Sequence, residues 1–400
     1  MLRMVRHIVL AAAALAVAAA PAAAQAQASA EFDQTQLPGW TVTPGVVFGV
    51  MHDSNVALAA PSGPTHQTAS DQLFDVEPYG QAEYFSPRTE FFSGYRGFVR
   101  RYQTLGALDS VDQTAYSSMR EHLTRRVTIY ANDSYLRMPT TDDLQLNDVP
   151  FERVGSNYNA FAGGVQARLS RTTDLTAQYD LTWVRFNRAP SLLSGGTVNG
   201  ARADLVHDLT ARVGVGAEYT LRVANVNFNT HLLTFHEAGA IVRYRFGPDT
   251  SLEVAGGISH LIDAEQQLTR TGPYVTAELT QRERRVALEA RYERRFTPSL
   301  SFGGSNQSQE ASGDVRMPIA RRGLYLEANV AWRATDPILP EELPLNSVWV
   351  RATGGYAVQR WIRLEVYDEY SRQNTHLAGG QVDRMIVGVQ FVVAQPLRIQ

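Results

Sequence analysis

Strict two-residue alternation from Gly323 to Tyr370 restricts this chain to a half-buried sheet. In the first of three strand-length segments, Leu324, Leu326, Ala328, Val330 and Trp332 share one face, while Tyr325, Glu327, Asn329, Ala331 and Arg333 share the other. The second sets Val348, Val350, Ala352, Gly354 and Tyr356 against Trp349, Arg351, Thr353 and Gly355. The third opposes Ile362, Leu364 and Val366 to Arg363, Glu365, Tyr367 and Glu369, and only Gln359 and Arg360 separate it from the second. A period of two with apolar residues on one face means a strand buried on one side. Strands of a water-soluble sandwich usually have five or six residues. These run to about ten alternating residues, the length of a tilted strand that crosses a bilayer. Trp332, Tyr356 and Tyr370 stand near the segment ends, where an outer-membrane barrel carries its aromatic girdles. The apolar face is therefore expected to look outward, toward lipid; the alternative is a large soluble β domain.

The links give a second, independent constraint. From Trp40 onward the chain reads as about eighteen strands, range sixteen to twenty, with no window at helical period. Short links follow the even-numbered strands: 86–88, 124–126, 170–173, 209–212, 247–249, 282–284, 320–322 and 359–360. Longer polar links follow the odd-numbered ones: 52–74, 103–112, 138–157, 187–196, 226–231, 261–271, 296–309, 334–346 and 372–383. A bacterial up-and-down barrel has this rhythm, with tight periplasmic turns and longer extracellular loops. The fold class expected is all-β, a transmembrane antiparallel β-barrel, with both termini in the periplasm.

Targeting agrees with that destination. Arg3 and Arg6 precede an apolar run from Ile8 to Ala20, then Pro21 and small residues ending near Ala28 or Ala30. This is the layout of a cleaved signal peptide, and the run is too short to span a bilayer. Residues 1–30 are expected to be the signal and 31–400 one outer-membrane barrel domain. The absence of cysteine removes a lipoprotein anchor, disulfides and thiolate metal sites. Hydrophobic residues make up 44% and mean hydropathy is −0.22, values a barrel shares with soluble proteins because each outward apolar residue is matched by an inward polar one. A net charge of −3 argues against nucleic acid as a partner.

Val42, Pro44, Gly45, Val46, Phe48 and Val50 are followed by His52-Asp53-Ser54-Asn55-Val56, and the next hairpin brings Val76, Pro78, Tyr84, Ser86-Pro87-Arg88-Thr89 and Phe91. Through these residues the stretch 40–137 resembles the beta-barrel porin 2 family of bacterial outer-membrane proteins. His52 stands where that family usually has an aromatic. The resemblance implies an outer-membrane barrel, and some members are encoded near exopolysaccharide genes. At the other end, Met385, Val387, Val389, Phe391 and Val393 share a face, the kind of closing strand that the barrel assembly machinery recognises. The chain then runs on through Pro396, a residue that stops a central strand.

If the apolar face meets lipid, parity lists the lumen. It contains Arg96 and Arg100; Glu237, Arg243 and Arg245; Glu289, Arg291 and Glu293; Glu327 and Arg333; Arg351; and Arg363, Glu365 and Glu369. Such rows either orient passing solutes or pair with one another. The third long link holds Asp142, Asp143, Asp148 and Glu152 and is a candidate constriction loop facing those arginines. Catalysis has little support. His231, His236 and Glu237 fall on one strand with the two histidines on opposite faces, and no nucleophile elbow, His-Glu-x-x-His helix or phosphate loop occurs. No metal or other cofactor is expected. The function expected is a channel for hydrophilic solutes or glycans, with a link to exopolysaccharide export implied by the resemblance. The alternative is a structural or adhesion barrel with a plugged lumen.

Overall fold

The computed structural model describes residues 38–56, 69–139, 154–187, 195–226, 231–283, 286–300, 304–319, 323–338, 344–375 and 380–399. Eighteen long strands form one antiparallel sheet. They are β1 (Gly39–Asp53), β2 (Asp71–Phe85), β3 (Thr89–Tyr102), β4 (Ser110–His122), β5 (Val127–Pro139), β6 (Gly155–Arg168), β7 (Thr173–Phe186), β8 (Gly196–Asp208) and β9 (Val213–Val226). The second half comprises β10 (His231–Arg245), β11 (Thr250–Asp263), β12 (Leu268–Glu283), β13 (Val286–Pro298), β14 (Ser305–Pro318), β15 (Leu324–Pro337), β16 (Leu345–Gln359), β17 (Ile362–Thr375) and β18 (Gln381–Ala394). Each strand pairs with the next in sequence, and β1 pairs with β18 from Gly45↔Ala394 to Asp53↔Ile386. Closure leaves none of the eighteen as a free edge, the condition for a sheet to sit in lipid.

Register sets the dimensions. Following the pairings once round returns to β1 displaced by about 22 residues, which for eighteen strands gives a tilt of about 43° and a backbone radius of about 17 Å.

The apolar parity faces outward, as the sequence predicts. Phe48, Val50, Val76, Val254, Ile258, Val350, Leu364, Val366, Val387 and Val389 are all exposed, and their cross-strand partners share the same face. Trp40, Tyr84, Phe91, Tyr244, Phe246, Tyr356 and Trp361 ring the short-turn end, with Trp40 packed on Tyr84 and Phe91 at centroid distances of 5.1 and 5.8 Å. Trp183, Trp332 and Tyr370 ring the other end, about 23 Å higher along the barrel axis by register and tilt, the height of a hydrocarbon belt. The barrel therefore has the outer surface of a protein that spans an outer membrane.

The tight turns share one device. In the β2–β3, β4–β5, β6–β7 and β8–β9 turns, the hydroxyls of Ser86, Thr124, Ser170 and Thr210 accept backbone N–H groups two or three residues on, at 2.8–3.3 Å. A side-chain oxygen that mimics a backbone acceptor closes a turn without a long loop.

The first and last strands are clasped at both ends. At the long-loop end, Arg384 of β18 donates from Nε and Nη2 to Asp53 Oδ2 at 3.0 and 2.6 Å. Asp53 Oδ1 accepts the N–H of Asn55, and Asn55 Nδ2 reaches the Asp383 carbonyl. The His52-Asp53-Ser54-Asn55-Val56 stretch is thus a closure motif. At the other end Pro396 interrupts pairing as predicted, but the chain does not leave. Leu397–Ile399, labelled β19, resumes the line of β18 and pairs with Trp40, Thr41 and Val42. Residues 1–37, including the expected signal peptide, lie outside the described residues.

Candidate functional site

The register turns every lumen residue read from parity toward the barrel interior, and most of these charges meet a partner there. Arg96 pairs with Glu77 at 2.9 Å, and Arg100 with Asp75 and Asp112 at 3.5 and 3.7 Å. Arg243 pairs with Glu253 at 2.7 Å, Arg245 with Asp208 at 3.1 Å and Arg291 with Glu293 at 3.0 Å. Arg333 pairs with Glu310 at 2.5 Å, Arg351 with Glu369 at 3.7 Å and Arg363 with Glu365 at 3.6 Å. Glu327 accepts from Asn329 Nδ2 at 3.5 Å. Glu289 stands opposite Asp314 on β14. The wall is thus a lattice of neighbouring opposite charges. Such pairing holds long side chains against the wall, because a guanidinium and a carboxylate on adjacent strands satisfy each other sideways.

Charge is unevenly spread on this lattice. Glu278, Glu289, Asp314 and Glu327 occupy four successive strands, β12 to β15, at one height, with Arg291 and Arg316 among them. That leaves four carboxylates against two guanidiniums. Half a circumference away, β3 and β4 carry Arg96 and Arg120.

A second device keeps side chains off the axis. Six inward tyrosines each lie over a glycine of a nearby strand: Tyr79 on Gly45, Tyr116 on Gly94, Tyr130 on Gly164, Tyr325 on Gly355 and Tyr367 on Gly388 of the adjacent strand, and Tyr274 on Gly239 two strands away. A Cβ built on Gly45, Gly94, Gly355 or Gly388 would overlap the ring. Five of the hydroxyls reach one strand or more further. Tyr116 meets Gln81 Nε2 at 2.9 Å, Tyr130 donates to Gln178 at 2.6 Å and Tyr274 donates to Glu218 at 2.5 Å. Tyr325 donates to Glu365, and Tyr367 meets Met51 Sδ of β1 at 3.2 Å, bridging the closing seam. Each ring is a strap lying flat on the wall.

The outer end on the β7–β13 side is different. The β12–β13 ladder ends at Val275↔Arg294, although β13 stays paired with β14 up to Pro298↔Ser305. Above that point β13 leans inward. Arg222 of β9 donates to the Phe296 carbonyl at 2.8 Å, and the Gly195 N–H to the Leu300 carbonyl at 2.7 Å. Phe296 and Leu300 then close an apolar cluster with Val184, Ala224, Val226, Leu233, Phe235 and Leu261, the last five of which are fully buried at 0% exposure. Beneath it Glu237 is held by Arg222 at 2.6 Å and Arg295 at 3.5 Å, and Arg295 also pairs with Glu293.

One expectation changes here. The link 296–309, read from sequence as a polar connection, is where the chain enters the lumen. Asp142, Asp143, Asp148 and Glu152, the predicted constriction loop, lie outside the described residues. His236 faces outward and meets Tyr219 Oη at 2.8 Å, so it shares no site with Glu237. Among the described residues no group of His, Asp and Glu could hold a metal.

Sequence parity found the charged rows but missed the straps and the inward segment, since both depend on which strands become neighbours. The only advance sign was composition, in that inward positions such as 79, 116, 130, 325 and 367 are tyrosine.

Among solved structures, the chain is similar to OccAB4 of Acinetobacter baumannii, with 9% identity, coverage of 91% of this chain and 100% of that one, and a TM-score of 0.44. It is also similar to the outer membrane protein OpdK of Pseudomonas aeruginosa, at 11% identity, 88% and 99% coverage and a TM-score of 0.42. OpdQ of Pseudomonas aeruginosa gives 10% identity, 90% and 100% coverage and a TM-score of 0.42. At such identities the likeness concerns overall shape alone. No family model and no curated protein matches the sequence, and the likeness of residues 40–137 to the beta-barrel porin 2 family stays a resemblance.

Proposed function

We propose that this barrel is an outer-membrane channel through which small hydrophilic solutes diffuse. The observation that carries the reading is the difference between the wall and its contents. A barrel about 17 Å in backbone radius has an inner wall whose arginines, carboxylates and tyrosines are tied sideways, while the largest apolar cluster lies on the β7–β13 side at the outer end, with two smaller ones on the β1–β6 side. Arg96, Arg100, Arg243, Arg245, Arg291, Arg333, Arg351 and Arg363, with Glu237, Glu289, Glu293, Glu327, Glu365 and Glu369, would line the path. The carboxylate excess on β12 to β15 would favour cations. Passage of a polysaccharide rests on the family resemblance, and no feature of the lumen favours it. Delivery by a signal peptide and insertion by the barrel assembly machinery belong to the same reading. We read the chain as no enzyme.

Single-channel conductance of the refolded protein in a planar bilayer tests the proposal. Stable steps with cation preference are expected, and Glu289→Gln with Asp314→Asn should reduce that preference. An inserted barrel that stays silent would leave the second reading, a structural barrel with a plugged lumen, which the fully buried apolar cluster favours.

A further inference from the structure

Two sectors of the largely apolar lipid-facing belt carry a carboxylate: β17, where Asp368 stands beside Tyr370 just below the outer aromatic ring, and β3 to β5, where it lies deeper. On β3, β4 and β5 a single cross-strand row places Ser93, Ser117 and Asp133 outward, and Asp133 accepts from Asn159 Nδ2 at 3.0 Å on the same outer face. By register and tilt the row lies about midway between the two aromatic rings. A carboxylate there is costly in lipid and marks a place where something other than lipid covers the wall. The surroundings are small: Gly80, Ala82 and Ala115 floor a shallow groove beside Tyr95, and nothing lies within 4 Å of a Cβ built on Gly80. Small side chains with a few polar atoms are what packed surfaces inside membranes use.

We propose that this face, centred on β4, is the interface with a second copy of this chain, related by a two-fold axis along the membrane normal through Ser117. The occupant follows from self-complementarity. A two-fold axis through β4 brings β5 of one copy against β3 of its partner at equal height. Asp133 of each copy then faces Tyr95 of the other at nearly the same height by register and tilt, a carboxylate acceptor against a hydroxyl donor, and the exchange occurs twice. Tyr95 is about half exposed, and its hydroxyl now donates to Gln113 Oε1 of its own chain at 2.9 Å, so it needs only to rotate to serve Asp133 across the interface. Two convex barrels can touch closely over three to five strands, roughly 500 Å² per copy across the belt, which reaches the lower limit of about 1,000 Å² for a specific pair. Only small residues at the line of contact let the walls approach that closely.

The test uses the absence of native cysteine. In the refolded full chain, Ser117→Cys should give a disulfide-linked dimer on mild oxidation, whereas Leu252→Cys on the far side, β11, should stay monomeric. The uncrosslinked protein should have the mass of two chains by light scattering in detergent, and Asp133→Leu should reduce it to one while the barrel keeps its heat-modifiable migration. If Asp133→Leu fails to fold, Tyr95→Phe, which leaves the wall intact, should weaken the dimer. A folded Ser117→Cys barrel that does not crosslink, a native mass of one or three chains, or an Asp133→Leu variant with unchanged mass would each overturn the proposal.

Discussion

The two sides of the lumen solve the same packing problem in opposite ways. From β15 through the closing seam to β5, five inward tyrosines lie flat over glycines, so the wall beneath them stays thin and the space beside it open. From β7 to β13 at the outer end, inward positions are Val, Leu, Ala and Phe, and the chain brings Phe296 and Leu300 across to bury them. The difference lies in the polar tip. A tyrosine ring covers apolar wall while its hydroxyl finds a partner on the next strand, so it remains stable beside water. An inward Phe235 or Leu233 has no such option and needs a covering segment. One side is built to face solvent and the other to be filled.

The comparison can be broken most severely at Arg222. Arg222→Met removes the donor to the Phe296 carbonyl and one of the two cations holding Glu237, so it should cost about 3–5 kcal/mol in urea-unfolding stability. If the inward segment narrows the path, the same variant should raise single-channel conductance; an unchanged unfolding midpoint would mean that the segment is not anchored there.

A smaller effect is expected from the straps. Gly355→Ala collides with the Tyr325 ring and should cost about 1–3 kcal/mol, whereas Gly49→Ala, whose nearest atoms stand at 3.6 Å, should lie within about 0.5 kcal/mol of the parent. Equal losses at the two glycines would show that flat tyrosines are not what requires glycine. Tyr130→Phe sharpens the point: it keeps the ring over Gly164 but loses the bond to Gln178, for about 1 kcal/mol and little change in conductance.

The least effect concerns the β3–β4 link outside the belt. The Tyr102 N–H and Arg101 hold the Asp109 carboxyl below its usual 3.8. A depressed carboxylate contributes stability above its unfolded value and loses it as pH falls through the lower folded value. Amide exchange at 102–110 should therefore quicken below about pH 4, with the β3–β4 ladder unchanged; Asp109→Asn should abolish the pH response.

Alternation and link length were sufficient to read the barrel. Leu324 to Trp332 and Ile362 to Val366 face lipid because period two allows only two faces, and the belt length excluded a sandwich. Arg96, Glu237, Arg351 and the other charged rows were legible for the same reason. Their partners were not: Arg384 is 331 residues from Asp53, and Arg222 is 74 from Phe296. The sequence placed Phe296 in the polar link 296–309, and the structure instead turns it inward where β13 parts from β12. The acidic loop 138–157 drew attention through composition, whereas the segment that enters the lumen has no distinguishing charge.

By itself the sequence determined that there are about eighteen strands, the face most strand residues take and that the first and last strands meet the short-turn end, because those follow from local periodicity and turn chemistry. Tertiary structure alone decided which glycine receives which tyrosine, which carboxylate holds which arginine and where the lumen is filled. Those depend on register around a closed ring, and closure is a property of all eighteen strands together.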